Sequence, residues 1–362
     1  MKNTAEALRV LYLYAGSRKM FYEKWKQGVV PDTQLLGLNY MEQLGINAEF
    51  IEWRLPEFLR RVSFNLVHLP YIFAIKRYDI IFLCAGLPLV FLAKYILQWN
   101  KPRFVIYNTF LANALKRNRR GISGFITRKA IKNLGMIVCT ARAQIQPLID
   151  EGFAPEKIKF VPIGIDAKYF AHFSVPDVDR LQTSGTERSR YILSVGRDLG
   201  RDYKTLFEAV KNLSVKVIVA TKPEAIAGLI IPNNVEICFN VPYEKMLALY
   251  RDALFVITPL KAVDNPSGSE TSGQYGYLEP MATGKAVIAT DKSVVRDYIE
   301  HEKTGLLVPP ENHAALRAAI QRLLAEPRLA MRLGRMAQQK VLAEFTSEHW
   351  ARSLSEIFKS LA

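Results

Sequence analysis

The sequence TSGQYGYLEPMATGK, residues 271–285, leads directly into the β-branched run AVIAT at residues 286–290. A helix that runs into a short buried strand is the repeating unit of a parallel α/β sheet. Small residues at Ser272 and Gly273 let backbone N–H groups approach an anion where the helix begins, and the helix dipole also favours a phosphate there. Glu279, two turns further on, can accept two hydrogen bonds from a vicinal diol such as that of a ribose. A helix cap followed by a solvated glutamate is the simpler alternative.

The same alternation of strand and helix patterns extends over the whole chain. Short β-branched or aromatic runs alternate with segments of helical period, which is typical of parallel sheets covered by helices on both faces. We therefore predict two doubly wound α/β units with six strands each. The predicted strands are Arg9–Ala15, Ala48–Trp53, Asp79–Ala85, Arg103–Thr109, Met136–Thr140 and Lys159–Pro162 in the first half, and Arg190–Val195, Lys216–Ala220, Val235–Asn240, Leu254–Pro259, Ala286–Thr290 and Gly305–Val308 in the second.

Domain boundaries follow from composition. The segment Ala167–Arg188 is rich in Pro, Ser, Thr, Gly and Asp and lacks periodicity, so it predicts a linker. We expect an N-terminal domain over residues 1–175 and a C-terminal domain over residues 176–345. Residues 346–362 place their apolar side chains on one helical face, which predicts a C-terminal helix that packs back toward the N-terminal domain. Ligands bind beyond the carboxyl ends of strands in such sheets, so the natural site is a cleft between the two domains.

The charge is distributed unevenly. Of 49 Lys and Arg and 34 Asp and Glu, residues 1–180 contain 26 and 14, a balance of +12, and residues 181–362 contain 23 and 20, a balance of +3. Between Asp79 and Asp150 there is no acidic side chain, whereas eleven are basic, several of them clustered from Lys116 to Arg120. Such a surface indicates an anionic partner: nucleic acid, a membrane face or a phosphorylated substrate. The run from Phe58 to Phe73 mixes apolar and basic residues as in an interfacial amphipathic helix, which favours the membrane. A solvated basic face over an ordinary core helix is the alternative.

Composition excludes several classes of protein. With 362 residues, 49% of them hydrophobic, the chain can bury a large core, so disordered, collagen-like and small disulfide-rich proteins are excluded. The three cysteines, Cys84, Cys139 and Cys238, lie in separate apolar runs without zinc-ligand spacing, and we interpret them as buried thiols in a reducing compartment. No apolar run reaches 18 residues and the N-terminus lacks a signal-peptide pattern, so we expect a cytoplasmic protein, peripheral on the inner face of the membrane.

Two arginines and an early glycine are further candidate site residues. In SVGRDLGRDYK a strand ends at Gly196 and delivers Arg197, and Arg201 follows just before a helix. Two guanidinium groups beside a glycine turn suit a diphosphate, although salt bridges to the adjacent aspartates are an alternative. Gly16 and Ser17 close the first predicted strand, where glycine permits a ligand to approach the backbone.

Together these motifs resemble the retaining glycosyltransferases of family 4, also called group 1 glycosyltransferases, which have the GT-B fold of two facing Rossmann-like domains. The resemblance depends on the order and spacing of motifs over about 200 residues. They are PEKIKFVPIGIDAKYF at 155–170, VGR at 195–197, RDYKTLFEA at 201–209, NVPYEKMLALYRDA at 240–253, the stretch 271–285, and VVRDYIEHEKTGLLVPP at 294–310.

The resemblance implies a role for each candidate residue. Arg197 and Arg201 match the Arg and Lys that hold the donor diphosphate in the family, and they would stabilise its charge during transfer. Glu279 matches the carboxylate that binds the nucleotide ribose. The other implied positions are Thr271, Ser272, Gly273 and Gln274 in the loop that meets the distal phosphate and sugar, Val241 in the nucleobase pocket, and Gly16 and Ser17 in the loop that faces the donor phosphates and the acceptor.

Three positions depart from the family pattern. The family commonly has two glutamates eight positions apart, but Thr271 stands eight before Glu279, and Glu270 is one position out of register. Pro280 removes a helical hydrogen bond, so we expect the helix to start late or to bend there. Where the family often has a histidine after the fourth strand, this chain has Asn108 and Thr109.

The activity implied by the resemblance is transfer of a hexose-type sugar from a nucleoside diphosphate sugar to a hydroxyl acceptor, with retention at the anomeric carbon. The acceptor is expected to be lipid-linked or a glycan in cell-envelope or polysaccharide biosynthesis, and neither a metal nor a cofactor is expected. A nucleotide-sugar epimerase or hexose-phosphate enzyme of the same fold is one alternative. A nucleic-acid-binding protein is another, although the basic residues lie among aliphatic ones rather than exposed stacking aromatics, so no nucleic-acid partner is expected.

Overall fold

The chain forms two compact units. The computed structural model describes residues 7–52, 66–117, 121–171, 191–262, 270–271 and 273–362. One unit comprises Met1–Gly28, Asp32–Gly164 and Ser347–Ala362, and the other comprises Val29–Pro31 and Ile165–Thr346. The main crossing therefore lies between Gly164 and Ile165, earlier than the predicted boundary after residue 175.

The first unit is built on a parallel sheet. In its described part six strands pair in the order β2-β1-β3-β4-β5-β6, and every pairing is parallel. Each overlaps one of the strands predicted for the first half. The four inner strands consist mainly of buried apolar residues, whereas the two outer strands are partly exposed. The strands are β1 Leu8–Leu13, β2 Ile46–Phe50, β3 Ile80–Leu83, β4 Arg103–Asn108, β5 Met136–Cys139 and β6 Ile158–Phe160.

Helices and short turns connect these strands. The α-helices are α1 Lys19–Lys26, α2 Leu87–Phe91, α3 Leu111–Arg117, α4 Gly121–Lys132 and α5 Ile145–Asp150, and a π-helix spans Leu92–Ile96. The 3₁₀ turns are Asp32–Leu35, Leu38–Tyr40, Leu69–Tyr71, Ala74–Arg77, Arg142–Gln144 and Pro155–Lys157.

The second unit repeats this architecture. Within its described residues six parallel strands pair in the order β12-β11-β10-β7-β8-β9. Neighbouring residues Ile192 and Leu193 are both fully buried, in different core clusters, because successive side chains point to opposite faces of a sheet that is covered on both sides. The strands are β7 Tyr191–Val195, β8 Lys216–Thr221, β9 Val235–Phe239, β10 Ala253–Thr258, β11 Val287–Thr290 and β12 Leu306–Val308. They overlap the strands predicted for the second half.

The helices of the second unit begin inside the predicted linker. Ala167–Arg188 was expected to lack regular structure, but Ala167–Ala171 is helical because Asp166 Oδ1 accepts a hydrogen bond from Tyr169 N (3.0 Å) and Phe170 is buried. Residues 172–188 of that prediction lie outside the described residues. The helices are α6 Ala167–Ala171, α7 Tyr203–Val210, α8 Pro223–Ile226, α9 Tyr243–Asp252, α10 Gln274–Ala282, α11 Ser293–Arg296, α12 His313–Ala325 and α13 Pro327–Glu344.

The last helix, α14 Ser347–Leu361, belongs to the first unit. Its apolar face is buried: the Phe358 ring lies 5.8 Å from that of Phe82 on β3, and Trp350 Nε1 donates to the carbonyl oxygen of Leu36 (3.0 Å). In the described part of the chain, none of the helices is both long and apolar enough to cross a membrane.

Candidate functional site

The strand order of the second unit reverses between β7 and β10. Chain order runs outward from β7 through β8 and β9 on one side, and from β10 through β11 and β12 on the other. Open α/β sheets bind ligands at the carboxyl ends of the strands that flank such a point. Gly196 directly follows β7 and Pro259 directly follows β10, and a hydrogen bond from Asp202 N to Pro259 O (3.1 Å) ties the two loops together. The predicted arginines and glycines of this unit are therefore at a position where ligands commonly bind.

Arg201 occupies the space left by three glycines. Its side chain is buried, with 5% of the residue exposed. A Cβ atom added at Gly196 would collide with Arg201 Nε, one at Gly276 would lie 2.5 Å from Nη2, and one at Gly273 would lie 3.3 Å from Nη1. The absence of side chains at these positions makes room for the guanidinium group, so the glycines and the arginine form one structural motif.

The guanidinium group of Arg201 has unused hydrogen-bond donors. Within the described residues, neither Nε nor Nη1 has an acceptor, although both atoms are buried. An arginine stays protonated in proteins. Leaving its buried charge without a partner lowers the stability of the folded protein by roughly 3–5 kcal/mol. An anion bound beside Nε and Nη1 would supply the missing acceptors.

Helix α10 begins next to this guanidinium group. Gly273 precedes it with φ +94°, a left-handed conformation that glycine adopts without steric cost. Thr271 and Gln274 are buried, and Gln274 Nε2 donates to Tyr298 Oη (3.0 Å), so the amide side chain of Gln274 is anchored inside the protein. Ser272, which we predicted to meet the distal phosphate, lies outside the described residues.

Pro280 does not end helix α10. A proline lacks the N–H that would reach back four residues to the carbonyl of Gly276. The hydroxyl of Thr258 donates to that carbonyl instead (2.9 Å). The helix therefore continues from Gln274 to Ala282, and Glu279 projects from a regular turn.

Two tyrosines of helix α9 hold the carboxylate of Glu279. Tyr243 Oη donates to Oε1 (2.8 Å), and Tyr250 Oη donates to Oε2 (2.9 Å). Burial raises the pKa of Glu279 to about 7, whereas the two hydroxyl groups and the charge of Arg201 act in the opposite direction by stabilising the carboxylate. Each oxygen keeps a further lone pair, so the carboxylate can still accept hydrogen bonds from a ligand diol.

Tyr243 and Tyr250 were not among the site residues predicted from the sequence. The signal was present, because residues seven apart lie on one face of a helix after two turns. Their hydroxyl groups are brought to Glu279 only by the packing of helix α9 beside helix α10, which the sequence pattern does not specify.

Arg197 has a different environment from Arg201. It is exposed, and its Nη2 donates to Asn240 Oδ1 (3.3 Å), so it is directed toward the loop that contains the half-buried Val241. The adjacent aspartates bind backbone groups: Asp198 Oδ1 accepts from Gly200 N (2.6 Å), and Asp202 Oδ1 caps helix α7 by accepting from Thr205 N (3.0 Å). The structure thus brings Arg197 and Val241 to the same loop pair.

In the first unit, the loop after β1 closes on an internal carboxylate. Ser17 Oγ donates to Glu52 Oε1, and the N–H groups of Arg18 (3.2 Å) and Lys19 (2.9 Å) donate to Glu52 Oε2. Glu52 thereby accepts hydrogen bonds from the N-terminus of helix α1. Gly16 and Ser17 lie within this closed loop, and their predicted contact with a ligand stays a prediction.

The loop after β4 is also built around side-chain hydrogen bonds. Asn108 Oδ1 accepts from Leu111 N (2.9 Å) and so caps helix α3. Thr109 Oγ1 is buried, with no hydrogen-bond partner in the part of the chain that the structure describes. The residues at the family's histidine position are therefore a helix cap and a buried hydroxyl group.

The predicted amphipathic membrane helix lies only partly in the described chain. Residues 58–65 are outside it, and residues 66–77 form the 3₁₀ turns Leu69–Tyr71 and Ala74–Arg77 rather than one continuous helix. Pro70 in the first of these turns lacks the N–H that a longer helix would need. The helical part of this prediction, made for Phe58–Phe73, is thus wrong for residues 66–73. The basic cluster is partly described: Lys116 is exposed, whereas Arg119 and Arg120 lie outside the described residues.

We searched the described residues for clusters of metal-binding side chains. Among the residues that the structure describes, no group of three or more His, Cys, Asp or Glu side chains is arranged to hold a metal ion. The charge of Arg201 acts on the carboxylate of Glu279 and favours its ionised form.

Comparisons with known proteins agree with this description of the second unit. The family model described as glycosyl transferases group 1 matches residues 179–340. The chain is 34% identical to the lipopolysaccharide core biosynthesis mannosyltransferase LpcC of Rhizobium leguminosarum over 84 residues. These residues make up 23% of this chain and 24% of that protein. The chain thus matches about a quarter of the length of this curated relative.

Solved structures share the fold of the entire chain. A glycosyltransferase from Rickettsia africae has 18% sequence identity and a TM-score of 0.69, over 98% of this chain and 99% of that one. Anabaena HepE in complex with UDP-glucose has 15% identity and a TM-score of 0.68, over 98% and 100%. At this level of identity the likeness establishes the fold, which is the two-domain α/β GT-B fold.

Proposed function

We propose that the protein transfers a hexose-type sugar from a nucleoside diphosphate sugar to a hydroxyl acceptor, with retention of configuration. The match of residues 179–340 to the family model described as glycosyl transferases group 1 supports this proposal. The observation that carries this proposal is the buried guanidinium group of Arg201. Its Nε and Nη1 have no acceptor in the described chain, and it lies beside the N-terminus of helix α10. Forked N–H donors and helix N–H groups together suit a diphosphate.

In this proposal the protein acts mainly through electrostatics. The bond between the anomeric carbon and the phosphate oxygen breaks, a bond to the acceptor oxygen forms, and the acceptor proton passes to the departing phosphate oxygen. Negative charge grows on the diphosphate as the sugar leaves. Arg201, together with Arg197, would stabilise that charge, and donors that are already in place do so without reorganising.

Glu279 would bind the ribose of the donor. Its carboxylate is held at both oxygens by Tyr243 and Tyr250, which fixes its orientation toward a ligand diol. Val241 and the backbone next to Asn240 would line the nucleobase pocket, and Gly273 and Thr271 would contribute to the phosphate and sugar site. Because a solved structure of the same fold was determined in complex with UDP-glucose, uracil is the first nucleobase to test.

The acceptor we propose is a lipid-linked or glycan hydroxyl group in cell-envelope or polysaccharide biosynthesis. The name of the Rhizobium relative, a mannosyltransferase of lipopolysaccharide core biosynthesis, supports this class. The basic first half supports a peripheral position on an anionic membrane face at the cytoplasmic side.

A thermal-shift screen with UDP, GDP, ADP and CDP tests the donor site. A ligand that binds only the native state raises the unfolding midpoint, so one of these nucleotides should raise it in a concentration-dependent way. Arg197→Ala should reduce that shift, whereas Arg296→Ala, which removes an exposed arginine paired with Asp291, should leave it unchanged. A midpoint that none of the four nucleotides moves would contradict the proposed donor class.

A further inference from the structure

The first unit exposes large apolar side chains next to lysines on helix α4. Ile122 is 81% exposed, and Phe125 is 47% exposed. Ile122, Phe125, Lys129 and Lys132 follow one another at intervals of three, four and three residues, which places them along one face of the helix. The helix therefore presents an apolar N-terminal half and a basic C-terminal half on the same side.

An aromatic cluster extends this surface beyond helix α4. The ring of Tyr95, a residue that is 39% exposed, lies 5.7 Å from that of Phe125 and stacks on that of Phe91 at 5.0 Å. Lys129 Nζ lies 5.1 Å from the Tyr95 ring and 5.7 Å from the Phe125 ring. We call the surface formed by Tyr95, Ile122, Phe125, Lys129 and Lys132 the α4 face.

The α4 face carries positive charge that the described protein does not neutralise. The side chain of Arg128 is paired with Glu151 (2.5 Å). Lys129 and Lys132, in contrast, form no ion pair within the described residues, and the chain has no acidic residue from position 80 to 149. An occupant of this face must therefore accept both exposed apolar groups and uncompensated ammonium groups.

An anionic lipid surface meets both requirements. Amphipathic helices bury apolar side chains at the boundary between headgroups and acyl chains, while their lysines remain at the level of the phosphates. A second copy of this chain would bring lysines against lysines, which is repulsive. A nucleic acid would accept the lysines, and its bases stack on exposed aromatic rings. Here, however, one face of the Tyr95 ring is already stacked on Phe91, and Tyr95 and Phe125 meet edge to face, so the two rings do not form a flat stacking platform. The most exposed residue of the face, Ile122, offers nothing for a base to stack on.

We propose that the α4 face is the surface by which the protein docks on an anionic membrane. The inference rests on the peripheral association in the proposed function and gives it a location. It moves the contact from the segment around Phe58–Phe73 to helix α4 and Tyr95. Ile122 and Phe125 would enter the headgroup region, and Lys129 and Lys132 would lie against lipid phosphates.

Vesicle sedimentation tests this location. The full chain should pellet with vesicles containing phosphatidylglycerol and stay in solution with pure phosphatidylcholine, and added salt should reverse the binding. Ile122→Ser should weaken binding about tenfold by removing one buried apolar side chain. Lys132→Glu should weaken it by at least about fivefold, the approximate contribution of one lysine near an anionic surface.

Matched controls come from the second unit. Ile230 is 91% exposed and Lys204 is exposed, so Ile230→Ser and Lys204→Glu remove the same side chains from other surfaces. Both control variants should bind vesicles as the unchanged protein does. All four variants should keep the nucleotide-dependent thermal shift, which shows separately that the fold and the donor site are intact.

A fluorescence measurement locates the contact independently of affinity. Emission of the Ile122→Trp variant should shift to shorter wavelength when phosphatidylglycerol vesicles are added, and that of Ile230→Trp should not. If the unchanged protein binds vesicles but Ile122→Ser and Lys132→Glu bind equally well, the α4 face is overturned while peripheral binding stands. If the unchanged protein binds no vesicles at low salt, both the α4 face as a docking surface and the peripheral membrane association are overturned. A dimer in sedimentation velocity that Ile122→Ser dissociates would assign the face to self-association instead.

Discussion

The two sheets differ in the polar groups that lie where the strand order reverses. In the first unit, beside β1 and β3, the carboxylate of Glu52 is paired within the protein, because it accepts hydrogen bonds from the N-terminus of helix α1. His68 Nε2 donates to the carbonyl of Tyr14 (3.0 Å), whereas His68 Nδ1 is buried without a partner in the described chain, but it belongs to an imidazole and not to a permanently charged group. In the second unit, beside β7 and β10, Arg201 has two buried donor atoms without an acceptor in the described chain. The same topology therefore gives two sites at the carboxyl ends of central strands, which we call the first edge (after β1 and β3) and the second edge (after β7 and β10). The first edge contains its own anion, Glu52, and the second edge has free donors for an external anion.

The two sites differ because a carboxylate lies at the N-terminus of helix α1, whereas a guanidinium group lies at the N-terminus of helix α10. A carboxylate at the N-terminus of helix α1 satisfies the helix dipole from within, as a helix cap does. At helix α10 the fixed charge is a cation beside the N-terminus, so dipole and side chain have the same sign and both favour an external anion. The second unit is therefore the stronger candidate for diphosphate binding.

The largest expected effect is that of Arg201→Met. It should weaken nucleoside diphosphate binding by roughly 30-fold or more, because removing one partner of a buried, hydrogen-bonded charge pair costs about 2–5 kcal/mol of binding free energy. It should not lower the thermal midpoint, because an apolar side chain of similar length replaces a buried charge without a partner. Calorimetric titration with UDP and scanning calorimetry measure the two quantities.

Arg296→Met is the control for this prediction. It removes an exposed arginine that is paired with Asp291, so binding should not change. An unaltered dissociation constant for Arg201→Met would show that this guanidinium group does not bind the diphosphate. A large drop in its midpoint would show that the side chain is part of the folded core.

The second prediction concerns the protonation of Glu279. Its pKa is raised from 4.5 to about 7 in the folded protein, so its stabilising effect is present below pH 4.5 and is lost as the pH rises through 7. Glu279→Gln cannot ionise and should raise the free energy of unfolding at pH 8 by up to about 3 kcal/mol, with little change at pH 4.5. Urea unfolding at both pH values measures this difference.

Glu236→Gln provides a control of the opposite sign. The pKa of Glu236 is lowered, chiefly by its hydrogen bond to Lys216, and the side chain is half exposed. Its replacement should cause at most a small loss of stability, at pH 8. If Glu279→Gln behaves in the same way, burial of Glu279 is not a source of instability.

The third prediction sharpens the role of the tyrosines at the second edge. Tyr250→Phe removes a hydroxyl group that stabilises the Glu279 carboxylate, so the pKa of Glu279 should rise further. Nucleotide affinity at pH 7 should then fall about fivefold, the contribution of one hydrogen bond, and should recover as the pH is raised to 9. Calorimetric titration between pH 6 and 9 measures this profile.

Tyr191→Phe is matched to that variant. Tyr191 Oη donates to the carbonyl of Leu249 (3.0 Å), so it also contacts helix α9 but does not touch Glu279. Its removal should leave the pH profile of nucleotide binding unchanged. If the pH profile of nucleotide affinity shifted equally in both variants, Tyr250 would contribute to packing and not to the ionisation of Glu279.

The smallest expected effect lies in the first unit. Glu52→Gln removes the charge at the N-terminus of helix α1 and should lower the free energy of unfolding by about 1 kcal/mol. Glu42→Gln, at an exposed position, should change the free energy of unfolding by much less. A Glu52→Gln variant as stable as the unchanged protein would show that the first edge does not depend on its internal anion.

The strands were predictable because burial on both faces requires them to be short, continuous apolar runs between polar turns. β3, whose residues Ile80–Leu83 are all buried, is such a run. The helix Ala167–Ala171 was missed because its signal, a capping aspartate and one buried phenylalanine, is too local to stand out in a segment rich in turn formers. The cap at Asp166 becomes informative only once Phe170 is seen to be buried.

For the site, residue type and position along the chain indicated Arg197 after a strand, Arg201 just before a helix and Gly273 at the start of a helix. Glu279 was indicated as a carboxylate two turns further along the chain. Their roles in binding a donor stay predictions. Spacing alone could not separate Arg197 from Arg201. One is exposed and the other is buried among glycines that are distant in sequence, and that difference depends on which loops meet.

Charge, turn-forming residues and the period of apolar residues can be recognised in consecutive residues. The sequence therefore specified the two parallel sheets, the basic first half and the candidate phosphate-binding turns. Packing between segments far apart in the chain determined the rest. It left the donors of Arg201 without acceptors, brought Tyr243 and Tyr250 to Glu279, and joined Tyr95 to Phe125. Such contacts depend on the shapes of whole elements in three dimensions, and no single stretch of sequence contains that information.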